Sequence, residues 1–239
     1  MKARDIFWAV ADTADFVTQV PRLLTSPIFW QNGYERGKGK IIFTMPGLGA
    51  GDFEFIILKK WLQHQGAQVY DSGIKLNIVC PYKTICKLTK RIRLIKQESG
   101  QKIILIGHSL GGIFSRILSV IEPKSIDLAI AIGSPLHNPE QNTNEMIKQM
   151  FVMMRRVERA LNQCKADIEG LTCECGIKES LQKKPRVPFF SILSQKDPIA
   201  FPNGSKDPYA KILTIPDGGH SGLVNNPEVY RHLNNILFT

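Results

Sequence analysis

Residues 103–111, IleIleLeuIleGlyHisSerLeuGly, constrain the fold more than any other stretch of this 239-residue chain. A run of apolar β-formers passes into Gly-x-Ser-x-Gly, and a helix-like stretch, residues 112–122, follows at once. A strand delivered into a helix through a tight turn lifts the side chain between them clear of the sheet, as a nucleophilic serine requires. Gly107 and Gly111 carry no Cβ, so the chain bends there without striking a neighbouring strand or helix. Ser109 is therefore the candidate nucleophile, at a helix start whose unpaired N–H groups favour developing negative charge.

A serine hydroxyl needs a base, and the base needs an orienting group. Around such a turn the carboxylate and then the histidine follow the serine in the chain, which confines the search to residues after 109. His220, in ProAspGlyGlyHisSerGlyLeu, lies between a strand-like stretch and a terminal helix and is the candidate base. His108 adjoins Ser109, but successive side chains leave a strand in different directions, so it reads as packing beside the turn. His64 and His232 fall in helical patterns as surface or interface residues, and His137 lines either the pocket or a plain loop. Asp197 is the candidate acid, in a turn closed by Pro198 just after the strand-like residues 187–193. Of its rivals, Asp207 lies in a polar Pro-Asn-Gly-Ser loop and reads as a solvated turn residue, while Asp217 reads as shaping the turn before His220.

The loop ProGlyLeuGlyAlaGlyAsp follows strand-like residues 40–45 and supplies an oxyanion site. Its glycines at 47, 49 and 51 let backbone approach a substrate oxygen, with the N–H groups of Leu48 and Leu110 as donors. A phosphate cradle is disfavoured, because neither a Lys-Ser/Thr pair nor Gly-x-Gly-x-x-Gly accompanies this loop.

From Ile41 onward strands alternate with helices. Strands are expected at 41–45, 67–70, 102–106, 126–132, 188–193 and 210–215, and helices at 53–65, 84–98, 113–122 and 227–238. This predicts an α/β fold with a mostly parallel sheet, helices on both faces and ligands beyond the carboxyl ends of the strands. The length suits a single domain over 1–239, with an N-terminal amphipathic segment over 1–36 and a cap or lid insertion over 137–186. In that insertion Met146, Met150, Met153, Val157 and Leu161 recur at helical spacing. They form either a helix covering the core or a cap whose methionines meet an acyl chain. Cys164, Cys173 and Cys175 crowd the same segment, as one disulfide from Cys164 or as reduced thiols; three cysteines without a fourth ligand make zinc unfavourable. Cys80 and Cys86 read as buried thiols.

Net charge is +10, much of it within residues 83–96, whose Ile85, Leu88, Ile92 and Ile95 form an apolar stripe. The basic side is either a solvated helix face or a surface attracted to anionic lipid. The N-terminal segment, with Phe7, Trp8, Phe16, Val20 and Leu23, either packs on the domain or lies in a membrane interface. No stretch of eighteen apolar residues suggests a spanning helix, and the short apolar patch after the basic start is broken by Asp5 and Asp12, a poor signal peptide. A cytoplasmic or membrane-peripheral location is expected, with leaderless export left open. No motif for nucleic acid accompanies the charge.

ProGlyLeuGly, GlyHisSerLeuGlyGly, Lys196-Asp197-Pro198 and Gly219-His220 together resemble the α/β-hydrolase superfamily, in particular its lipase and esterase branch, over nearly the whole chain after Lys40. ProArgLeuLeu, MetProGlyLeuGlyAla, GlySerProLeuHisAsn, Cys164…Cys173-x-Cys175 and Asn226-Pro227-Glu228-Val229-Tyr230 resemble, more narrowly, a group of bacterial lipase-like hydrolases. The resemblance implies Ser109 as nucleophile, Asp197 as acid, His220 as base and backbone donors at Leu48 and Leu110. Met45-Pro46-Gly47 departs from the His-Gly of many relatives, which reshapes the acyl pocket but leaves backbone donors in place. The expected activity is hydrolysis of a lipid or other carboxylic ester with an apolar acyl group, through an acyl-enzyme and without metal or organic cofactor. Gly47, Gly49, His137, Met150 and Met153 are the expected substrate-binding residues. Acyl transfer with the same residues, or a non-catalytic membrane-associated protein on a hydrolase fold, are the alternatives.

Overall fold

Strands this short and this apolar must be covered on both faces, and their helices do so. The computed structural model describes residues 3–31, 33, 35–78, 80–139, 141–160 and 177–239. In chain order its elements are helices α1 (Ala3–Leu24) and α2 (Pro27–Trp30), strand β1 (Ile41–Met45), a 3-10 turn (Asp52–Phe55), α3 (Ile56–His64) and β2 (Gln68–Asp71). Then come α4 (Pro81–Ser99), β3 (Ile103–His108), α5 (Leu110–Ile121), β4 (Ile126–Ile132) and α6 (Glu145–Ala160). The series ends with α7 (Ile177–Gln182), β5 (Phe189–Ser194), β6 (Lys211–Ile215), a second 3-10 turn (Ser221–Asn225) and α8 (Pro227–Phe238).

The sheet runs β2-β1-β3-β4-β5-β6, every neighbouring pair parallel. Alternate residues point to opposite faces. Ile42, Ile104, Ile106, Ile130, Ile132, Ile192 and Ile215 pack beneath α3 and α8, with Leu23 and Ile28 completing that layer. Ile41, Phe43, Met45, Ile103, Leu105, Ala129, Ala131 and Phe189 pack against α4 and α5. The stripe Ile85, Leu88, Ile92 and Ile95 of α4 is buried, leaving Lys83, Lys87, Lys90 and Arg91 exposed. That helix starts earlier than the periodicity suggests because Pro81 suits its first position, and it ends on Gly100 in the left-handed conformation.

Strand order reverses between β1 and β3, and the two loops leaving their carboxyl ends diverge there into a crevice. Met45 lies level with Gly107, so residues 46–47 and 108–109 emerge side by side. A Cβ on Gly111 would sit 1.9 Å from the Met45 carbonyl oxygen, and one on Gly107 2.1 Å from that of Gly111. Glycine at both positions is thus a demand of packing as well as of bending.

The structure corrects the reading of Asp207. Asp207 is not solvated: it is 4% exposed, and its carboxylate accepts a hydrogen bond from Nε of Arg116 at 2.6 Å. Arg116, fully buried on α5, also donates to the carbonyls of Leu181 and Lys183, which ties the end of α7 to the core, and stacks over Phe189 and Tyr209. A Pro-Asn-Gly-Ser loop looks solvent-facing until its partner cation, distant in sequence, is known.

Helix α6 is anchored at its start, where Asn144 N–H donates to the Ile199 carbonyl and Thr143 bridges Ala200; farther along Met153 is 68% exposed. Leu161, Cys164, Cys173 and Cys175 lie outside the described residues. Cys80 is buried and Cys86 half-buried. No helix among the described residues is long and apolar enough to cross a membrane.

Truncating one member of a buried ion pair strands its partner. Asp207→Ala is expected to destabilise the protein by about 3–5 kcal/mol, whereas Arg116→Met with Asp207→Leu costs less than that single change. Urea unfolding of the three proteins checks the order.

Candidate active site

Ser109 sits at φ 52°, ψ −117°, a strained conformation for a residue with a side chain, between the last residue of β3 and the first of α5. Its N–H is held by the Ile132 carbonyl and its own carbonyl accepts from Gly112 and Ile113, so the turn is fixed from both sides. The hydroxyl does not cap the helix; it points instead to His220. His220 Nε2 lies 2.9 Å from Ser109 Oγ, and its Nδ1 lies 2.8 Å from Asp197 Oδ2. The other carboxylate oxygen of Asp197 accepts the N–H groups of Ile199 and Ala200, both at 2.8 Å. The structure thus brings together three residues 23 and 111 positions apart along the chain.

Asp197 and His220 are 4% and 6% exposed. Burial pulls the imidazole's pKa down, but the charge and hydrogen bond of Asp197, and then the charges of Asp12 and Glu54, outweigh it. His220 ends above its ordinary value, held toward the imidazolium.

Two residues beside this group carry no obvious signal in the sequence. Glu54, on the turn after β1, accepts from the Gly47 N–H at 2.8 Å and faces His108 Nδ1 at 2.7 Å. His108 Nε2 in turn lies 3.0 Å from the carbonyl oxygen of His220. Both ring nitrogens of His108 therefore meet oxygen. His108 does more than pack beside the turn: it links the loop after β1 to the backbone of the histidine loop.

The remaining expected residues are dispersed. Gly47 is close in: a Cβ there would lie 3.3 Å from the Cβ of Ser109. Gly49 takes φ 72° at an exposed turn, with open space where a side chain would be. His137 is exposed, its Nε2 next to the Asn138 amide. Met150 is half-buried and Met153 exposed on α6; Met153 joins Lys148, Val152 and Arg156 in lining a hollow of about 300 Å³. His64 is exposed, and burial lowers the pKa of half-buried His232. Asp217 holds Arg22 at 3.8 Å on the surface. Among the described residues no group of three or more His, Cys, Asp or Glu is placed to hold a metal ion.

Residues 82–186, a little under half the chain, match the family described as PGAP1-like alpha/beta domain. No curated protein matches. Among solved structures the chain is similar to a monoacylglycerol lipase from Paleococcus ferrophilus, at 18% identity and TM-score 0.58, covering 87% of this chain and 96% of that one. It is similar to a lipase-esterase related protein from Clostridium acetobutylicum, at 14% identity and TM-score 0.57, over 87% and 98% of the two chains. It also resembles mouse alpha/beta hydrolase domain-containing protein 10, at 17% identity and TM-score 0.53, over 84% and 90%. With a six-stranded parallel sheet covered by helices on both faces, the chain has the α/β-hydrolase fold.

Proposed function

We propose that this protein is a serine hydrolase that cleaves carboxylic esters with an apolar acyl group. The observation that carries the reading is the unbroken contact Ser109 Oγ, His220 Nε2, His220 Nδ1, Asp197 Oδ2 at a strained turn. Ser109 Oγ attacks the ester carbonyl while its proton passes to His220 Nε2. The C–O bond to the alcohol then breaks, and the alcohol leaves with that proton. Water, deprotonated by the same nitrogen, releases the acid and restores Oγ–H. Asp197, its second oxygen occupied by two backbone donors, keeps Nδ1 protonated and stabilises the imidazolium.

Negative charge on the carbonyl oxygen falls to backbone N–H groups. Leu110 stands at the first position of α5, where no intrahelical partner exists. The Gly47 N–H is taken by Glu54, so the next amide, that of Leu48, is the second donor. An apolar acyl group suits the rim. Phe53 is 66% and Ile56 56% exposed just after this loop, and Leu76 and Ile78 are exposed on the segment that hydrogen-bonds to it through Asn77.

Ser109→Ala is expected to lower kcat on a panel of esters of graded acyl length by at least about 10⁴-fold and to abolish labelling by a fluorophosphonate. Wild-type protein that is folded yet neither labelled nor active overturns the reading. Asp197→Asn has a sharper consequence. Its oxygen stays with the N–H groups of Ile199 and Ala200, so its NH₂ faces Nδ1 and drives the proton to Nε2, the wrong tautomer for a base. A drop in kcat of about 10⁴-fold with little change in KM is expected. The base works neutral, so kcat/KM should rise with pH through an apparent pKa above about 6.5, the ordinary histidine value, because the surrounding carboxylates favour the imidazolium. An initial-rate profile from pH 5 to 9 reads that limb.

A further inference from the structure

Helix α1 carries an apolar set that packs on the body, with Leu23 buried and Phe16 against the core. Another face is polar. Asp12, Asp15, Gln19 and Arg22 follow at spacings of three, four and three, which places them in one row along the helix. That row faces the histidine loop. Asp15 Oδ2 accepts the N–H of Gly219 at 2.8 Å, and both oxygens of Asp12 accept that of Ser221 at 3.1 Å. The Ser221 hydroxyl donates to Asp12 as well. Gln19 braces Asp15 from the next turn at 3.1 Å, Arg22 donates to Gln19 at 3.3 Å, and Arg22 reaches Asp217 at the head of the loop.

The two amides so held are those on either side of His220. The loop is also shaped for the helix. A Cβ on Gly222 would lie 2.0 Å from Asp15 Oδ2, and one on Gly219 3.0 Å from Asp12 and from Asp15. Glycines at these two positions admit the carboxylates to the backbone. Asp12 is 5% exposed, a buried charge whose described partners are all on the histidine loop. A carboxylate buried for packing alone would cost stability without return, and its accepted N–H groups restore it.

We propose that α1 is a positioning element for the base: Asp12 and Asp15 grip the backbone on both sides of His220 and set its imidazole over Ser109. The inference rests on the hydrolase reading above for its catalytic consequence. The charged and titratable groups around that imidazole are Asp197 on the loop after β5, Asp12 and Asp15 on α1, Glu54 on the turn after β1, and His108 on β3, whose ring centre lies 4.8 Å away. Replacing Asp12 by asparagine removes one negative charge from this set. The folded His220 pKa then falls, and the acid limb of the rate profile moves to lower pH.

The test compares Asp12→Asn, Asp15→Asn, their combination and the milder Ser221→Ala with wild type and with Val17→Ser on the exposed side of α1. Each full-length protein is checked for folding by thermal unfolding, His220 is titrated by NMR, and ester hydrolysis is measured across pH. Asp15→Asn turns one of the two oxygens that accept from Gly219 and Gln19 into a donor NH₂. The combined variant is therefore expected to lose about tenfold in kcat with KM within about twofold, while Val17→Ser matches wild type. Ser221→Ala loses only a few-fold, which keeps the comparison usable where a carboxylate change prevents folding. Folded Asp variants with wild-type kcat overturn the proposal, whether or not the His220 titration moves with the lost charge. A wild type without ester hydrolysis, whose combined variant still loses hydrogen-exchange protection at the Gly219 and Ser221 amides, sinks the ester reading and leaves the positioning role standing.

Discussion

The contact on which the site depends is between two stretches of backbone. Gly111, in the first turn of α5, lies against the carbonyl of Met45 at the end of β1. That approach, together with the β1–β3 register, fixes how close the loop after β1 comes to Ser109. Any side chain at 111 would push the helix from the strand and widen the crevice by an atom's diameter. Packed interiors do not absorb such a change smoothly. The geometry of Ser109 and of its neighbouring amides is therefore set by strand pairing and by the absence of two side chains.

Around His220 the chemistry is unusual in its balance. Four carboxylates, those of Asp197, Asp12, Asp15 and Glu54, are gathered near one imidazole, and each is met by backbone N–H. Asp197 takes those of Ile199 and Ala200, Asp15 that of Gly219, Asp12 that of Ser221 and Glu54 that of Gly47. The charges of Asp197, Asp12 and Glu54 favour the imidazolium form of His220. The same amides belong to the loops after β1, β5 and β6, so the charge arrangement and the loop positions hold one another.

What the sequence discloses here is local. The strand-to-helix serine, the aspartate after β5 and the histidine after β6 each stand beside turn-forming residues in a short window, and their order follows a rule of chain topology. Strand boundaries were readable within a few residues for the same reason, although α4 begins three residues before the expected 84 and the helix expected over 53–65 opens as a 3-10 turn. The failures share a cause. Asp207 reads as solvated because its partner, Arg116, is 91 residues away on a helix whose neighbours are apolar. Glu54 and His108 are 54 positions apart, and the rule about successive side chains does not say what the imidazole of His108 meets.

The N-terminal segment shows the limit most plainly. Its apolar residues offered two readings, packing or a membrane surface, and both concerned the apolar side. Polar residues at helical spacing ordinarily mark the face turned to water, so Asp12 registers only as a break in an apolar patch, and Asp15 and Gln19 draw no notice in a linear reading. Gly219 stands in the sequence only as the neighbour of His220 and Gly222 not at all, since glycine near a loop histidine reads as flexibility. Only when the helix row is laid on the loop do the acidic spacing and the glycine spacing become one pattern, acceptors on the first element and exposed amides on the second. A polar helix face then signifies contact with backbone rather than with solvent, and two glycines signify a close-fitted joint rather than a loose one.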